Sequence, residues 1–183
     1  MMGFWILLVV VFLVIVFVIS MYNGLVQLRV RADNAWSDID VQLKRRHDLI
    51  PNLVETVKGY AAHEKGTFEN IAKYRSAAMA ATSADQKIQA EGALTNALRG
   101  LLAVAENYPQ LQANTEFMSL QNSLKEVEDS LQNARRYYNA VVRDLNTRIQ
   151  TFPTNMLAGM FGFTPRQFFE VEAAERENVA VKF

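Results

Sequence analysis

The fold is decided by residues 22–74, which read YNGLVQLRVRADNAWSDIDVQLKRRHDLIPNLVETVKGYAAHEKGTFENIAKY. Apolar residues recur in this stretch at steps of three and four, the spacing of one face of an α-helix. This face carries Leu25, Leu28, Ala32, Ala35, Ile39, Leu43, His47, Ile50, Val54, Val57, Ala61, Glu64, Phe68 and Ile71. The pattern keeps its phase through Pro51, where the ring removes one backbone hydrogen bond. The sequence therefore predicts one long helix kinked near Pro51, and a break into two helices near Asp48 is the alternative.

An uncharged apolar run from Met1 to Ile19 precedes this stretch. Fifteen of its residues are Val, Ile, Leu or Phe, which at about −0.4 kcal/mol each favours membrane insertion by about 6 kcal/mol. With the next residues added, the run is long enough to cross a bilayer. A cleaved signal peptide is the alternative, but the run lacks a basic start and an A-x-A-like cleavage site. We therefore predict a retained transmembrane anchor over residues 1–21.

The basic residues beside the anchor predict its orientation. Arg29 and Arg31 follow the anchor closely, whereas only the amino terminus precedes it. By the positive-inside rule, this places the amino terminus outside and the following domain in the cytoplasm.

A second basic group, KRR at residues 44–46, lies farther along the same helix. At 1.5 Å per residue it is about 37 Å from the end of the apolar run. This distance is several times the screening length of about 8–10 Å at physiological salt. We therefore interpret the group as a solvated or acid-paired face rather than as a site for anionic lipid.

Two further long helices are predicted from their end signals. Ser83 and Gln86 make a capping box that opens a helix over residues 84–107, which a proline then ends. Asn114 is the candidate N-cap of the next helix, over residues 114–150.

The last of these helices carries the most regular apolar face of the chain. We call this face the bundle seam; it comprises Phe117, Leu120, Leu124, Val127, Leu131, Ala134, Tyr138, Val141 and Leu145. Its steps alternate between three and four, which is the heptad spacing of helix bundles and coiled coils. The predicted class is all-α: a transmembrane helix that continues into an elongated antiparallel helical bundle over residues 22–150, with a short C-terminal helix and an extended tail.

The C-terminal segment, residues 151–183, has a different character. It holds six of the eleven phenylalanines. Thr164 and Pro165 predict a short helix that ends at Phe169, and the last residues, 178–183, alternate as an extended strand does.

Four phenylalanines within nine residues of this segment form a candidate self-association surface: Phe161, Phe163, Phe168 and Phe169. Each ring buries about 150–250 Å² when covered, and a short segment cannot cover four rings by itself. Three coverings are possible: the end of the protein's own bundle, a neighbouring subunit, or the membrane. The anchor favours the neighbouring subunit because it confines all copies to one plane.

The sequence offers no reaction centre. It has no cysteine, which removes thiolate metal sites and a cysteine nucleophile, and none of the common nucleotide-binding or hydrolase motifs is present. His63 and Glu64 begin an HExxH pattern, but Thr67 stands where the second histidine is needed. His47 lies on the apolar face and is interpreted as a hydrogen-bonded structural residue. A net charge of zero gives no pull toward nucleic acid. We predict no enzyme activity, no cofactor, no metal and no nucleic-acid partner.

The chain closely resembles the LemA family in several stretches. These are NAWSDIDVQLKRRHDLIPNLVETVKGYAAHEK at 34–65, ENYPQLQAN at 106–114, ARRYYNAVV at 134–142, RIQTFP at 148–153 and GFTPRQFFE at 162–170. The resemblance implies a bacterial protein with one N-terminal transmembrane helix and an antiparallel helical bundle. It supplies no catalytic residues. Because a relative within the family is associated with magnetosome membranes, it also suggests a membrane-shaping role.

These features together favour a membrane-anchored, non-enzymatic scaffold. Such a protein would self-associate and would organise or shape the bacterial inner membrane or its protein complexes. Its partners would be membrane lipid, through the N-terminal helix, and further copies of itself. The alternative is a regulatory adaptor that recruits another envelope protein, such as a membrane protease or a signalling complex, and an enzyme with an unrecognised site is a third class.

Overall fold

A computed structural model describes residues 1–169, and this part of the chain contains helices but no strand. The helices are α1 (Met2–Lys58), α2 (Lys65–Ala80), α3 (Ala84–Glu106), α4 (Pro109–Gln112), α5 (Thr115–Gln150) and α6 (Thr154–Met160). The predicted all-α class with a long apolar N-terminal helix is confirmed. The extended strand predicted for residues 178–183 lies outside the described residues.

The chain forms two compact units. Of the described residues, the first unit comprises Met1–Asp40 and Gln132–Phe168, and the second comprises Val41–Leu131 and Phe169. Helices α1 and α5 each contribute residues to both units.

Helix α1 is longer than an ordinary globular helix and continues through Pro51. The alternative of two helices separated near Asp48 is therefore wrong. The helix ends at Lys58, directly before Gly59, and a turn leads to α2. The sequence pattern did not place this turn, because Ala61 within it is buried and keeps the apolar phase across the break.

The proline inside α1 leaves one carbonyl group free, and α2 supplies its partner. In an unbroken helix the His47 carbonyl would accept a hydrogen bond from the residue four positions later, but Pro51 has no N–H to donate. The Arg75 Nε atom donates to this carbonyl at 2.9 Å. The contact satisfies a backbone group that would otherwise lack a partner, and it joins α2 to α1 beside the proline.

The core of the second unit is apolar and draws on four helices and the start of α5. Helices α2 and α3 pack against each other, and α3 also contacts α4. The buried cluster consists of Ile50, Leu53, Val54, Val57, Ala61, Phe68, Ile71, Ala78, Leu94, Leu98, Leu101, Ala105, Leu111, Phe117 and Leu124.

The predicted ends of α3 and α5 are confirmed by their hydrogen bonds. The Ser83 side chain accepts from the Gln86 N–H, and the Gln86 side chain accepts from the Ser83 N–H, which completes the capping box. Asn114 Oδ1 accepts from the Phe117 N–H at 2.8 Å. Each contact satisfies N–H groups that a helix start leaves without partners.

The short C-terminal helix lies earlier than predicted. It is α6, over Thr154–Met160, and residues 164–169 are not helical. Gly162, at φ +69°, ends α6 in the left-handed region that glycine favours. The backbone beyond it bonds to α5 instead of to itself: Asn146 accepts from the Arg166 N–H and donates to the Arg166 carbonyl, both at 2.8 Å. The Asn146 side chain thus takes the place of the helical hydrogen bonds that were expected from the Thr164–Pro165 signal.

Candidate functional site

The apolar N-terminal section of α1 is exposed along its length. It is long and apolar enough to cross a membrane, and none of its apolar window is buried within the described structure. Burial begins at Met21 and Leu25. A helix that is apolar on every side and uncovered by protein fits a lipid environment better than water.

The C-terminal segment packs on α1 directly beyond this apolar section. The Phe161 ring meets the Tyr22 ring edge-on, with the ring centroids 4.9 Å apart, and Phe163 meets the same tyrosine at 5.9 Å. The Arg29 guanidinium lies over the Phe163 ring, 5.1 Å from its centre, which is a cation–π contact. Two phenylalanine rings therefore pack on Tyr22 where the exposed apolar section of α1 ends.

Farther along, the same segment is held by polar contacts. Arg166 Nη2 lies 2.6 Å from Asp33 Oδ1, and the Tyr138 hydroxyl donates to the Gln167 carbonyl at 3.0 Å. The Trp36 and Tyr138 rings meet edge-on at 5.2 Å. As residue numbers rise from 161 to 167, the segment thus runs along α1 away from the apolar section.

Burial also affects Tyr138 itself. Loss of water around the hydroxyl raises the pKa of Tyr138 above its ordinary value, while the positive charge of Arg166 acts in the opposite direction and Asp33 adds to the rise. The hydroxyl therefore stays protonated at neutral pH and keeps its hydrogen bond to Gln167.

The four rings of the candidate self-association surface have different environments. Phe163 and Phe169 are 8% and 2% exposed, so the chain itself covers them. Phe161 and Phe168 remain 52% and 41% exposed. Only these last two rings have substantial area left for another molecule.

The bundle seam lies along α5. Leu120 and Ala134 are half-buried, and the remaining seam residues are buried. The side chains of Leu131 and Leu145 are almost completely covered.

A group of charged side chains is buried in the second unit. Arg46 and Glu91 are each 1% exposed, and their Nη1 and Oε2 atoms are 3.0 Å apart. The other carboxylate oxygen of Glu91 lies 2.7 Å from His47 Nε2. Arg46 also donates to Thr95 Oγ1 at 2.8 Å, and its Nε lies 2.8 Å from Glu128 Oε1, an ion-pair distance without good hydrogen-bond alignment. We call Arg46, His47 and Glu91 the buried charge cluster; Thr95 and Glu128 lie beside it.

The chemistry of the buried charge cluster is structural. Both oxygens of Glu91 already have partners, and neither Glu91 nor Arg46 is open to a substrate. Arg46 lies on α1 and Glu91 on α3, so their ion pair links these two helices within the core. Among residues 1–169 no group of three potential metal-binding side chains comes together.

The sequence interpretation of this region was partly correct. His47 was predicted to be a hydrogen-bonded structural residue, and its contact with Glu91 confirms this. Arg46 was placed on a solvated or acid-paired face; it is acid-paired but buried, unlike its exposed neighbours Lys44 and Arg45.

Glu91 was not identified from the sequence as a buried residue. A signal was available: Glu91 stands three residues before Leu94, in phase with the apolar face of α3. Two helices that each carry one charged residue in phase with the apolar face, with charges of opposite sign, indicate a buried ion pair.

Comparison with known proteins identifies a protein family that matches most of this chain. The family model described as the LemA family matches residues 35–183, a range that contains the buried charge cluster, α5 and the C-terminal segment. The chain belongs to the LemA family. This membership confirms the resemblance drawn from the sequence.

Two kinds of relative resemble this LemA-family chain. Magnetosome protein MamQ 1 of Paramagnetospirillum magneticum is 27% identical over an alignment 179 residues long, which covers 84% of this chain and 66% of that protein. Magnetosome protein MamQ of Magnetospirillum gryphiswaldense is 26% identical over the same length. Protein LemA of Metamycoplasma hominis is 27% identical over 159 residues, 86% of this chain and 72% of that protein. The LemA-family chain thus spans slightly less than two thirds of the magnetosome proteins that it matches.

Proposed function

We propose that this protein is a membrane-anchored, non-enzymatic scaffold that self-associates and organises or shapes the bacterial inner membrane or its protein complexes. The observation that carries the proposal is α1. Its exposed apolar section and a part of each unit belong to one uninterrupted helix, Met2–Lys58. The helix section that is proposed to enter the membrane is thus continuous with helix that belongs to each unit, which suits an anchored structural protein.

The relatives and the charge cluster support this proposal. Proteins named for the magnetosome, a membrane organelle, are similar to most of this chain, which favours a role at a membrane. The charged side chains that are buried pair with each other rather than face a cleft, and this favours a structural role over catalysis.

The surface proposed for self-association is the pair of exposed rings, Phe161 and Phe168. Both belong to the first unit, which also carries the apolar section of α1. Copies held in one membrane with one orientation meet at a raised effective concentration. Repeated head-to-tail contacts of this kind close into a ring when the rotation between neighbouring copies divides a full turn evenly.

Replacing both exposed rings, Phe161→Ser with Phe168→Ser, is expected to reduce the mass of the detergent-extracted particle while far-UV circular dichroism stays unchanged. Light scattering of the full chain in mild detergent measures this mass. Met118→Ser is the matched control, because Met118 is an apolar side chain of similar exposure on α5 and should leave the mass as it is. An unchanged mass in the double variant would rule out these rings as the assembly surface, and stoichiometric foreign subunits would favour the adaptor.

Orientation is tested separately. Because Arg29 and Arg31 follow the apolar section, a reporter fused after Phe183 is expected to be active only when the reporter functions in the cytoplasm. Strong activity of a reporter that works only in the periplasm would reverse the orientation and leave the helical fold unaffected.

A further inference from the structure

We propose that the exposed face of α6 lies on the membrane surface and inserts its apolar side chains at the level of the lipid headgroups. This membrane-surface face consists of Met156 and Met160, and Phe152 is exposed in the turn just before the helix. The inference rests on the proposed anchoring of α1 and goes beyond it, because it assigns a second lipid contact to a segment remote in sequence from the anchor.

The two faces of α6 differ in burial. Thr154 and Ala158, four residues apart, are buried against the protein. Met156 and Met160, also four residues apart, are 63% and 77% exposed. Residues four apart share one face of a helix, so the buried and exposed pairs define separate faces. Phe152, in the turn before α6, is also exposed.

Contacts with α1 place α6 at the depth of the headgroups. Tyr22 lies three residues beyond Ile19, the end of the apolar run, or about 4.5 Å along the helix. The headgroup layer on each side of a bilayer is about 5–7 Å thick, and tyrosine is enriched there. Phe161, which packs on Tyr22, directly follows α6.

The direction of the segment gives the same placement. After Phe161 the chain runs along α1 away from the apolar section, as the Arg166–Asp33 contact shows. Helix α6 directly precedes Phe161, so it joins this contact series at the end next to the apolar section.

Composition separates this face from an ordinary exposed surface. No charged residue occurs from Thr151 to Pro165, although charged residues make up 21% of the chain. An uncharged helix that exposes large apolar side chains beside a membrane span inserts shallowly, about 5–10 Å into the boundary between headgroups and acyl chains. Continuity with the lipid-facing section of α1 favours lipid over a second copy as the occupant.

The test uses the absence of cysteine from the chain, since single-cysteine variants need no background substitution. Met156→Cys and Met160→Cys are labelled with bimane in the full chain and reconstituted into phospholipid vesicles. Some of the lipids carry a nitroxide near the headgroup, which quenches bimane only at short range. Aqueous iodide reports exposure to water.

Two control positions bracket the expected depth. Ile15→Cys lies inside the apolar section. The second control is Tyr137→Cys. Tyr137 is 53% exposed and adjoins Tyr138, which packs on Trp36. Trp36 lies fourteen residues beyond Tyr22, or about 21 Å along α1. Bimane at Tyr137 should respond to iodide and not to lipid.

Headgroup nitroxide is expected to quench bimane several-fold more strongly at Met156 and Met160 than at Tyr137. Iodide is expected to quench bimane less at Met156 and Met160 than at Tyr137. Equal quenching at all three positions would overturn the inference. Shielding from both quenchers would also overturn it, since protein rather than lipid would then cover the face. Strong quenching of bimane at Ile15 by aqueous iodide would refute the anchor and the inference together, whereas protection of Ile15 from iodide without headgroup quenching at Met156 refutes the inference alone.

Discussion

Replacing Glu91 by alanine is expected to lower the free energy of unfolding by about 3 kcal/mol. Removal of one partner leaves a buried charge without compensation, which typically costs about 3–5 kcal/mol. The lower part of that range applies because Glu128 keeps a contact with Arg46 at 2.8 Å. His47 loses its partner in the same variant. Urea unfolding of the full chain in mild detergent, followed by far-UV circular dichroism, measures the change.

The matched control is Glu55→Ala. Glu55 pairs with Lys58 at 2.7 Å, a similar distance, but both side chains are largely exposed. Exposed pairs contribute at most about 1 kcal/mol, so this variant should unfold nearly as the parent does. If Glu91→Ala cost no more than Glu55→Ala, the cluster would not hold α3 to α1.

A double-mutant cycle isolates the pair itself. Arg46→Met removes the buried cation, and combining it with Glu91→Ala removes both charges. The double variant is expected to be less destabilised than the sum of the single variants, since each single change leaves an unpaired charge that the double change does not. Strict additivity would show that the two residues do not interact.

Truncating Leu131 to alanine is expected to cost about 2–5 kcal/mol, the usual range for a buried leucine. Leu131 lies in the bundle seam and is completely covered. Deleting its side-chain carbons therefore forfeits transfer energy and leaves a cavity. The same urea experiment applies.

Met118→Ala on the same helix is the control, because Met118 is half exposed and opens no cavity when shortened. A loss below about 0.5 kcal/mol in Leu131→Ala would contradict a core role for this residue, since surface changes usually fall within that limit. A large loss in both variants would instead indicate a general weakness of α5.

Much of the fold was accessible from the sequence because it depends on local chemistry. The capping box of Ser83 and Gln86 located the start of α3, and Asn114 located the start of α5. Both signals act within one helical turn, so the residues that form them are neighbours in the chain. The exposed apolar section of α1 was equally predictable, since its composition alone sets its preference for lipid.

The periodicity of apolar residues was informative but incomplete. It predicted the seam residues of α5 and the passage of α1 through Pro51. It did not reveal the turn after Lys58, because a turn that returns Ala61 to the core keeps the same spacing as a continuous helix. Periodicity reports which side faces the core and does not report whether the backbone bends there.

The sequence by itself thus determined the all-α class, the apolar section and the helix ends that local side chains cap. Tertiary structure alone decided the rest. Glu91 pairs with Arg46 across 45 residues, and Asn146 draws the backbone at Arg166 away from the predicted helix across 20. The physical reason is common to both cases. A side chain can bond either to water or to a distant partner, and the contact with the partner contributes free energy only once folding has brought the partner near.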